Sequence, residues 1–387
     1  MIKLRKWAFV IHRYIGLVVG LVLIIIGLTG SVLVFQREID AFVISQRFGQ
    51  VIVPENRTLV PVELVLQQVK EKFKDQLKTS VRAIAIPTEP YKPYVVTIQS
   101  KDNSLTQVYV NPYLGEIMGI RDRETSWIGI TLNLHNKLLA GKTGEAIAGF
   151  VALFLFILCI TGIGLWKGWR KLGQGFKIAW TANPMRLNLD VHHVLGIVTV
   201  VFLTAIAFTG FCWSFSDQTK PIIYAATFTP EPAKLISKPI AKQPALGLTT
   251  LLEKADAVFP NTTTTFITFP QKSNETIRVF KKQAQESGER GNTRIWLDQY
   301  SGKVLQIQDG LNLSRAEMVF SSFAPMHYGT FWGMPTRILY IFVGLSPLVL
   351  LLTGANMFKI RKFGKSRKQE VRALAAVQNK EEESQIH

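Results

Sequence analysis

Six histidines are spread over 387 residues, and five of them, His12, His135, His192, His193 and His327, stand at the entrance to an apolar segment. Four are related by fixed offsets. A shift of 180 residues lays His12, Gly16 and Thr29-Gly30 on His192, Gly196 and Thr209-Gly210. A shift of 192 lays His135, Gly141 and Thr161-Gly162 on His327, Gly333 and Thr353-Gly354. Two neutral imidazoles facing each other across a helical bundle supply the nitrogens that a haem iron takes above and below the porphyrin plane. Zinc would ask for three or four ligands. The two cysteines, Cys159 and Cys212, lie in different apolar segments near opposite ends and cannot complete such a set. His193 aligns with Arg13, and Met185 and Met326 have no equivalent Met, so the repeat selects His12 with His192 and His135 with His327 as metal ligands for two b-type haems.

Four windows free of Asp, Glu, Lys and Arg must position these residues: Ile15–Phe35, Ala146–Trp166, Val194–Trp213 and Ile338–Phe358. At about 1.5 Å per residue each is long enough to cross a hydrocarbon core of roughly 30 Å. The first runs into Gln36-Arg37-Glu38 without a small-residue cleavage site and is expected to be retained as a signal anchor. The net charge of +18 invites a nucleic-acid reading, but +12 of it lies on the 70 residues of 1–14, 167–193 and 359–387. That asymmetry places both termini and the middle loop in the cytoplasm and exports the two long segments, so no nucleic-acid partner is expected and membrane lipid is. Two cysteines exclude a disulfide-stapled module.

The long segments repeat one another. Pro61 to Phe73 has helical spacing and is followed by alternating runs at 82–86, 94–99 and 107–110; Leu248 to Phe259 is followed by runs at 264–269, 276–280 and 293–297. The fold class expected is a membrane protein: a bundle of four transmembrane helices, built as a tandem repeat of helix, exported domain and helix, with two small α+β domains. Its boundaries are a cytoplasmic N-terminus (1–14), first span (15–35), first exported domain (36–134), histidine segment and second span (135–166), basic cytoplasmic loop (167–193), third span (194–213), second exported domain (214–326), histidine segment and fourth span (327–358), and a cytoplasmic tail (359–387), expected to be disordered over 363–387, which includes His387. The polar stretch 283–292 is expected to be a mobile loop.

An unbroken helix from His135 to Thr161 would be about 39 Å long. Gly141 and Gly144 in one copy, and Gly333 and Pro335 in the other, are positioned to break it and draw the outer pair inward. Haem carboxylates need cationic or hydroxyl partners. Arg5, Arg13 and Arg186 stand near the inner pair, and Lys137, Lys142, Tyr328 and Arg337 near the outer one. The recurrent Thr-Gly pairs fit either small-residue helix packing or close approach of a flat macrocycle.

His12-Arg13-Tyr14-Ile15-Gly16, Asp190-Val191-His192-His193-Val194-Leu195-Gly196, His135 with Gly141 and Gly144, His327-Tyr328-Gly329 and the four Thr-Gly pairs resemble the PepSY-associated transmembrane family. The strand endings 108–116 and 295–303 look like PepSY domains. The resemblance runs from about Lys3 to Lys362. It implies a bacterial inner-membrane, multi-pass protein with two periplasmic domains, similar to iron-regulated di-haem siderophore reductases. It further implies electron transfer from a cytoplasmic or quinol donor to a ferric siderophore or other iron chelate, with His12, His192, His135 and His327 as iron ligands and Arg13 and Arg337 as haem partners. Two other readings stay open: a membrane-anchored PepSY binding or protease-inhibitory module without redox activity, and a permease, for which four helices without an intramembrane charge offer a poor path.

Overall fold

The computed structural model describes residues 2–385 apart from 56–57, 75–78, 241–243 and 287, with side chains described from 3 to 363; His387 lies outside the described residues. In chain order the elements are α1 (Ile2–Leu33), α2 (Gln36–Phe48), α3 (Val62–Lys72), β1 (Ser80–Ala85), β2 (Tyr94–Gln99), β3 (Leu105–Val110), β4 (Ile117–Asp122), α4 (Trp127–Lys137), α5 (Gly141–Leu165) and α6 (Leu172–Gly175). They continue as α7 (Pro184–Ser214), α8 (Ser216–Ala226), α9 (Leu248–Val258), β5 (Thr263–Thr268), β6 (Ile277–Lys282), β7 (Thr293–Leu297), β8 (Val304–Gln308), α10 (Arg315–Tyr328) and α11 (Met334–Gln385). Two units result: one spans residues 1–34, 132–216 and 324–387 and carries the long helices, and the other spans residues 35–131 and 217–323 and is α+β.

Four helices of the first unit, α1, α5, α7 and α11, are long and apolar enough to cross a membrane. They are apolar on nearly every side because the bilayer, not a protein core, solvates most of their surface: Val18, Leu21, Val201 and Phe342 are all well exposed. Each helix packs on two others, α1 on α5 and α11, and α7 on the same two. This leaves α1 and α7 on one diagonal of the bundle. Small residues set the close contacts, as where a methyl on Gly27 of α1 would meet the Gly344 carbonyl of α11 at 2.3 Å.

The α+β unit departs from two separate domains. Its two modules share one antiparallel sheet of order β4-β3-β2-β1-β5-β6-β7-β8, joined where Ala83, Ile84 and Ala85 of β1 pair with Thr268, Ile267 and Phe266 of β5. Alternation dictates one buried face: Ile84, Val96, Val108, Ile267, Val279 and Ile295 form a single core with Val65 and Val69 of α3 and Leu251 and Ala255 of α9. Pairing β1 with β5 covers two edges that each module alone would leave open.

Two further expectations are corrected. The 283–292 stretch, of which residue 287 lies outside the described residues, is anchored at its two ends, because the buried Glu286 carboxylate accepts from the amides of Gln283, Asn292 and Thr293 and from the Thr293 hydroxyl. The tail is not irregular: α11 runs as helix to Gln385, as its Ala-, Lys-, Glu- and Gln-rich composition favours.

Candidate functional site

The four histidines occupy corresponding places in the duplicated helical unit. His12 lies in the third turn of α1. His192 lies on α7, whose start is fixed by Asn183 accepting from the Arg186 amide at 3.0 Å with Pro184 following. Asp190, two residues before His192, is buried and accepts from Lys167, from Arg186 at 3.0 Å and from the Ala179 amide at 3.2 Å. His135 and His327 sit near the ends of the short helices α4 and α10. The breaks expected after them are present: Leu138, Leu139 and Gly141 have positive φ in one copy, and Gly329 and Gly333 in the other. Thr336 donates to the Gly329 carbonyl at 2.6 Å and Tyr340 to the Met326 carbonyl at 2.6 Å, locking the second break.

The histidines meet as the repeat pairs them. The His12 and His192 ring centres are 6.1 Å apart with planes at 79°. Those of His135 and His327 are 6.2 Å apart at 84°. Each ring is held in the same way by a threonine from a neighbouring helix. Nδ1 lies 2.9 Å from Thr161 Oγ1 for His12, 3.0 Å from Thr29 for His135, 3.0 Å from Thr353 for His192 and 2.8 Å from Thr209 for His327. All four hydroxyls donate to a carbonyl four residues back, those of Ile157, Ile25, Val349 and Ala205, each at 2.8 Å.

That arrangement fixes the tautomer. With its proton committed to the backbone, each threonine oxygen can only accept, and each Nδ1 also faces the carbonyl three residues before that threonine: Leu158, Ile26, Leu350 and Ile206. Nδ1 therefore carries the hydrogen and Nε2 the free lone pair. Burial holds His135 and His327, whose helices lie outside the four apolar spans, below the ordinary imidazole pKa, so both are neutral at pH 7. The glycine after each threonine makes room for the ring. A methyl would meet the histidine Cε1 at 3.0 Å on Gly30, 3.3 Å on Gly162, 3.4 Å on Gly210 and 3.7 Å on Gly354. The Thr-Gly pairs are thus cradles for histidine rings, a role neither sequence reading assigned them.

The family model for the PepSY-associated TM region matches residues 9–361. The chain belongs to this family. A comparison with curated proteins gave no match.

Haem fits the residues that this PepSY-associated chain presents. Metal–imidazole bonds of about 2 Å on either side of one iron set the ring centres about 6 Å apart, as in both pairs. Ligating histidines characteristically donate their other ring nitrogen to a carbonyl or similar acceptor, as all four do here. Among the described residues no group of three or more His, Cys, Asp or Glu gathers, so pairs are what the fold offers. The His12–His192 pair borders a cavity of about 930 Å³ within the helical unit, lined by Gly16, Leu155, Leu158 and Leu350 and rimmed by Arg5, Arg13 and Arg361. That is the size and apolar character of a cofactor pocket.

The remaining expected residues divide. Arg13 lines the cavity with its Nε buried and unpartnered, its guanidinium 4.5 Å from the Tyr14 ring centre. Arg186 is committed to Asp190 rather than to the cavity. Arg337 donates to the Val34 carbonyl at 2.8 Å, near the end of α1 that holds Thr29. Lys137 pairs with Glu145 at 3.7 Å. His193 lines the cavity, while the ring that faces His12 is His192. Sequence reasoning missed Arg361 at the rim and Trp213, whose ring centre is 4.8 Å from that of His327.

Proposed function

We propose that the chain is a di-haem electron-transfer protein of the bacterial inner membrane that reduces ferric chelates, ferric siderophores among them, on the periplasmic side. The observation that carries this is the fourfold cradle: in each of two facing pairs, every histidine has its Nδ1 engaged by a threonine and a carbonyl, which leaves Nε2 free to ligate. Bound at His12/His192 and His135/His327, haem supplies one-electron chemistry. The chain would give each haem two histidine nitrogens, which suits each site to electron transfer rather than to binding O₂. It also excludes water from the rings and presents Arg13, Arg5 and Arg361 to carboxylates at the inner pocket, with Arg337 near the outer pair. Basic termini and a basic 167–193 loop support an orientation with both ends in the cytoplasm, where a soluble or quinol donor would supply electrons. Oxygen-donor chelators hold Fe(II) far more weakly than Fe(III), so one electron per iron releases the metal.

The test is reoxidation. Detergent-purified protein reduced with dithionite and freed of excess reductant is mixed with ferric siderophores under argon. Rapid return of the oxidised absorbance with Fe(II) captured by ferrozine is expected. A reduced spectrum unchanged by every ferric chelate would overturn the reading.

A further inference from the structure

The face of the sheet turned away from its core differs sharply between the two modules. In β6 and β7 the core residues Ile277, Val279, Ile295 and Leu297 alternate with Arg278, Phe280, Arg294 and Trp296. Arg290, from the connection between these strands, joins them. Its guanidinium lies 3.9 Å from the Phe266 ring centre and 5.6 Å from that of Phe280. Those of Arg278 and Arg294 lie 4.9 and 5.3 Å from Phe280, and Arg278 lies 6.0 Å from Trp296. Three cations thus surround one ring.

Nothing described in the chain neutralises them at bonding distance. The Nε atoms of Arg278 and Arg294 are buried without a hydrogen-bond partner. The nearby carboxylates are engaged elsewhere: Glu286 holds its own loop, Glu289 pairs with Lys92 and Arg37, and Glu317 accepts the Ser314 amide at the start of α10. Burial lowers the pKa of all three arginines, and neighbouring arginines lower those of Arg278 and Arg290 further. Half-buried like charges of this kind are costly unless an anion joins them.

We propose that this cluster is the binding site for the chelate, and that it selects a polyanionic, aromatic one: a ferric complex of the tris-catecholate class. Three catecholate dianions around Fe(III) leave a triply negative complex edged by flat rings. Arginine forks meet its oxygens, while the partly exposed Phe266 and Trp296 offer faces to its rings. A neutral or cationic hydroxamate complex satisfies none of the charge.

This inference rests on the reductase reading for the ligand's fate, so its test uses Ga(III), which binds the same chelators without being reduced. The full chain in detergent is titrated calorimetrically with the gallium complexes of a hexadentate tris-catecholate and of a linear trihydroxamate, and with anionic phospholipid vesicles. Wild-type protein is expected to bind the catecholate complex at least tenfold more tightly than the hydroxamate. R278Q/R294Q is expected to lose at least tenfold with the thermal midpoint and absorbance spectrum unchanged, and R278K/R294K a smaller factor. Equal affinity in the variants, equal affinity for the hydroxamate, or binding of vesicles but of no chelate would overturn the site. Gallium binding through the arginines without reoxidation by the ferric form would leave the site standing and sink the reductase reading. Reoxidation without such binding would do the reverse.

Discussion

The duplicated halves of this chain treat their charged and polar groups in two ways. In the helical unit the copies are interchangeable: His12, Thr161 and Gly162 do in one what His192, Thr353 and Gly354 do in the other. In the sheet they diverge. On the outer face of the first module, Arg121 is closed by its own carboxylate, making two bonds to Asp40 at 2.6 and 3.0 Å and one to Gln107, with Phe48 of α2 against Tyr109. The register-equivalents of Arg278, Phe280 and Arg294 there are Val95, Thr97 and Gln107. The second module carries three arginines that no carboxylate closes. Where both copies hold the same group, the repeat is strict; where one face is left with unbalanced charge, that face is the place to look for a ligand.

The largest effect should separate the two faces. Asp40→Asn strips the partner from a nearly buried guanidinium and should destabilise by about 3–5 kcal/mol, lowering the thermal midpoint. Arg278→Gln, which removes one of three repelling cations, should leave the midpoint unchanged or raise it. A melt in which both variants fall equally would erase the contrast.

Next, Thr29→Val and Thr209→Val each remove one acceptor for a histidine Nδ1 without changing shape. Loss of such an outer partner typically costs 10–100-fold in metal affinity. The two variants should weaken haem retention to the same degree, read from the rate of haem transfer to apomyoglobin. An effect in one copy alone would break the symmetry.

The glycines give a graded series. Gly30→Ala should disturb its pair most and Gly354→Ala least, following the 3.0 and 3.7 Å clearances, with Gly162→Ala and Gly210→Ala between them. Low-spin electron paramagnetic resonance reads this directly. Near-perpendicular axial imidazoles give a strongly anisotropic signal, and tilting a ring reduces the anisotropy.

The smallest effect concerns one turn. Asp298 accepts from the amides of Lys238, Tyr300 and Ser301, which hold its pKa below the ordinary carboxylate value; the corresponding Asn111 accepts from Tyr113 and Leu114 and does not titrate. A depressed native pKa contributes stability that is present above the unfolded value of about 3.9 and lost as pH falls through the folded one. Hydrogen exchange in the β7–β8 turn should therefore quicken on acidification below that range while the β3–β4 turn does not, and Asp298→Asn should abolish the difference.

The sequence made the spans legible because charge is excluded from hydrocarbon, and it made the histidine pairs legible because two offsets relate them. It could not reveal that Thr161 serves His12 or that Thr29 serves His135, since donor and acceptor are brought together by helices distant in the chain. The joining of β1 to β5 was equally hidden: Ala83–Ala85 and Phe266–Thr268 carry no mark of edge pairing. The alternation of β6 and β7 puts Arg278 and Arg294 on an outer face, but only the surrounding carboxylates, each already engaged, show that their charge is unbalanced.

The central claim, one haem per histidine pair, is tested most directly by counting haem. Pyridine haemochrome assay of the purified chain should give two haems, falling to one in His12→Ala and likewise to one in His327→Ala, each with the spectrum of the surviving site. A colourless protein, or a count that neither substitution changes, would contradict it.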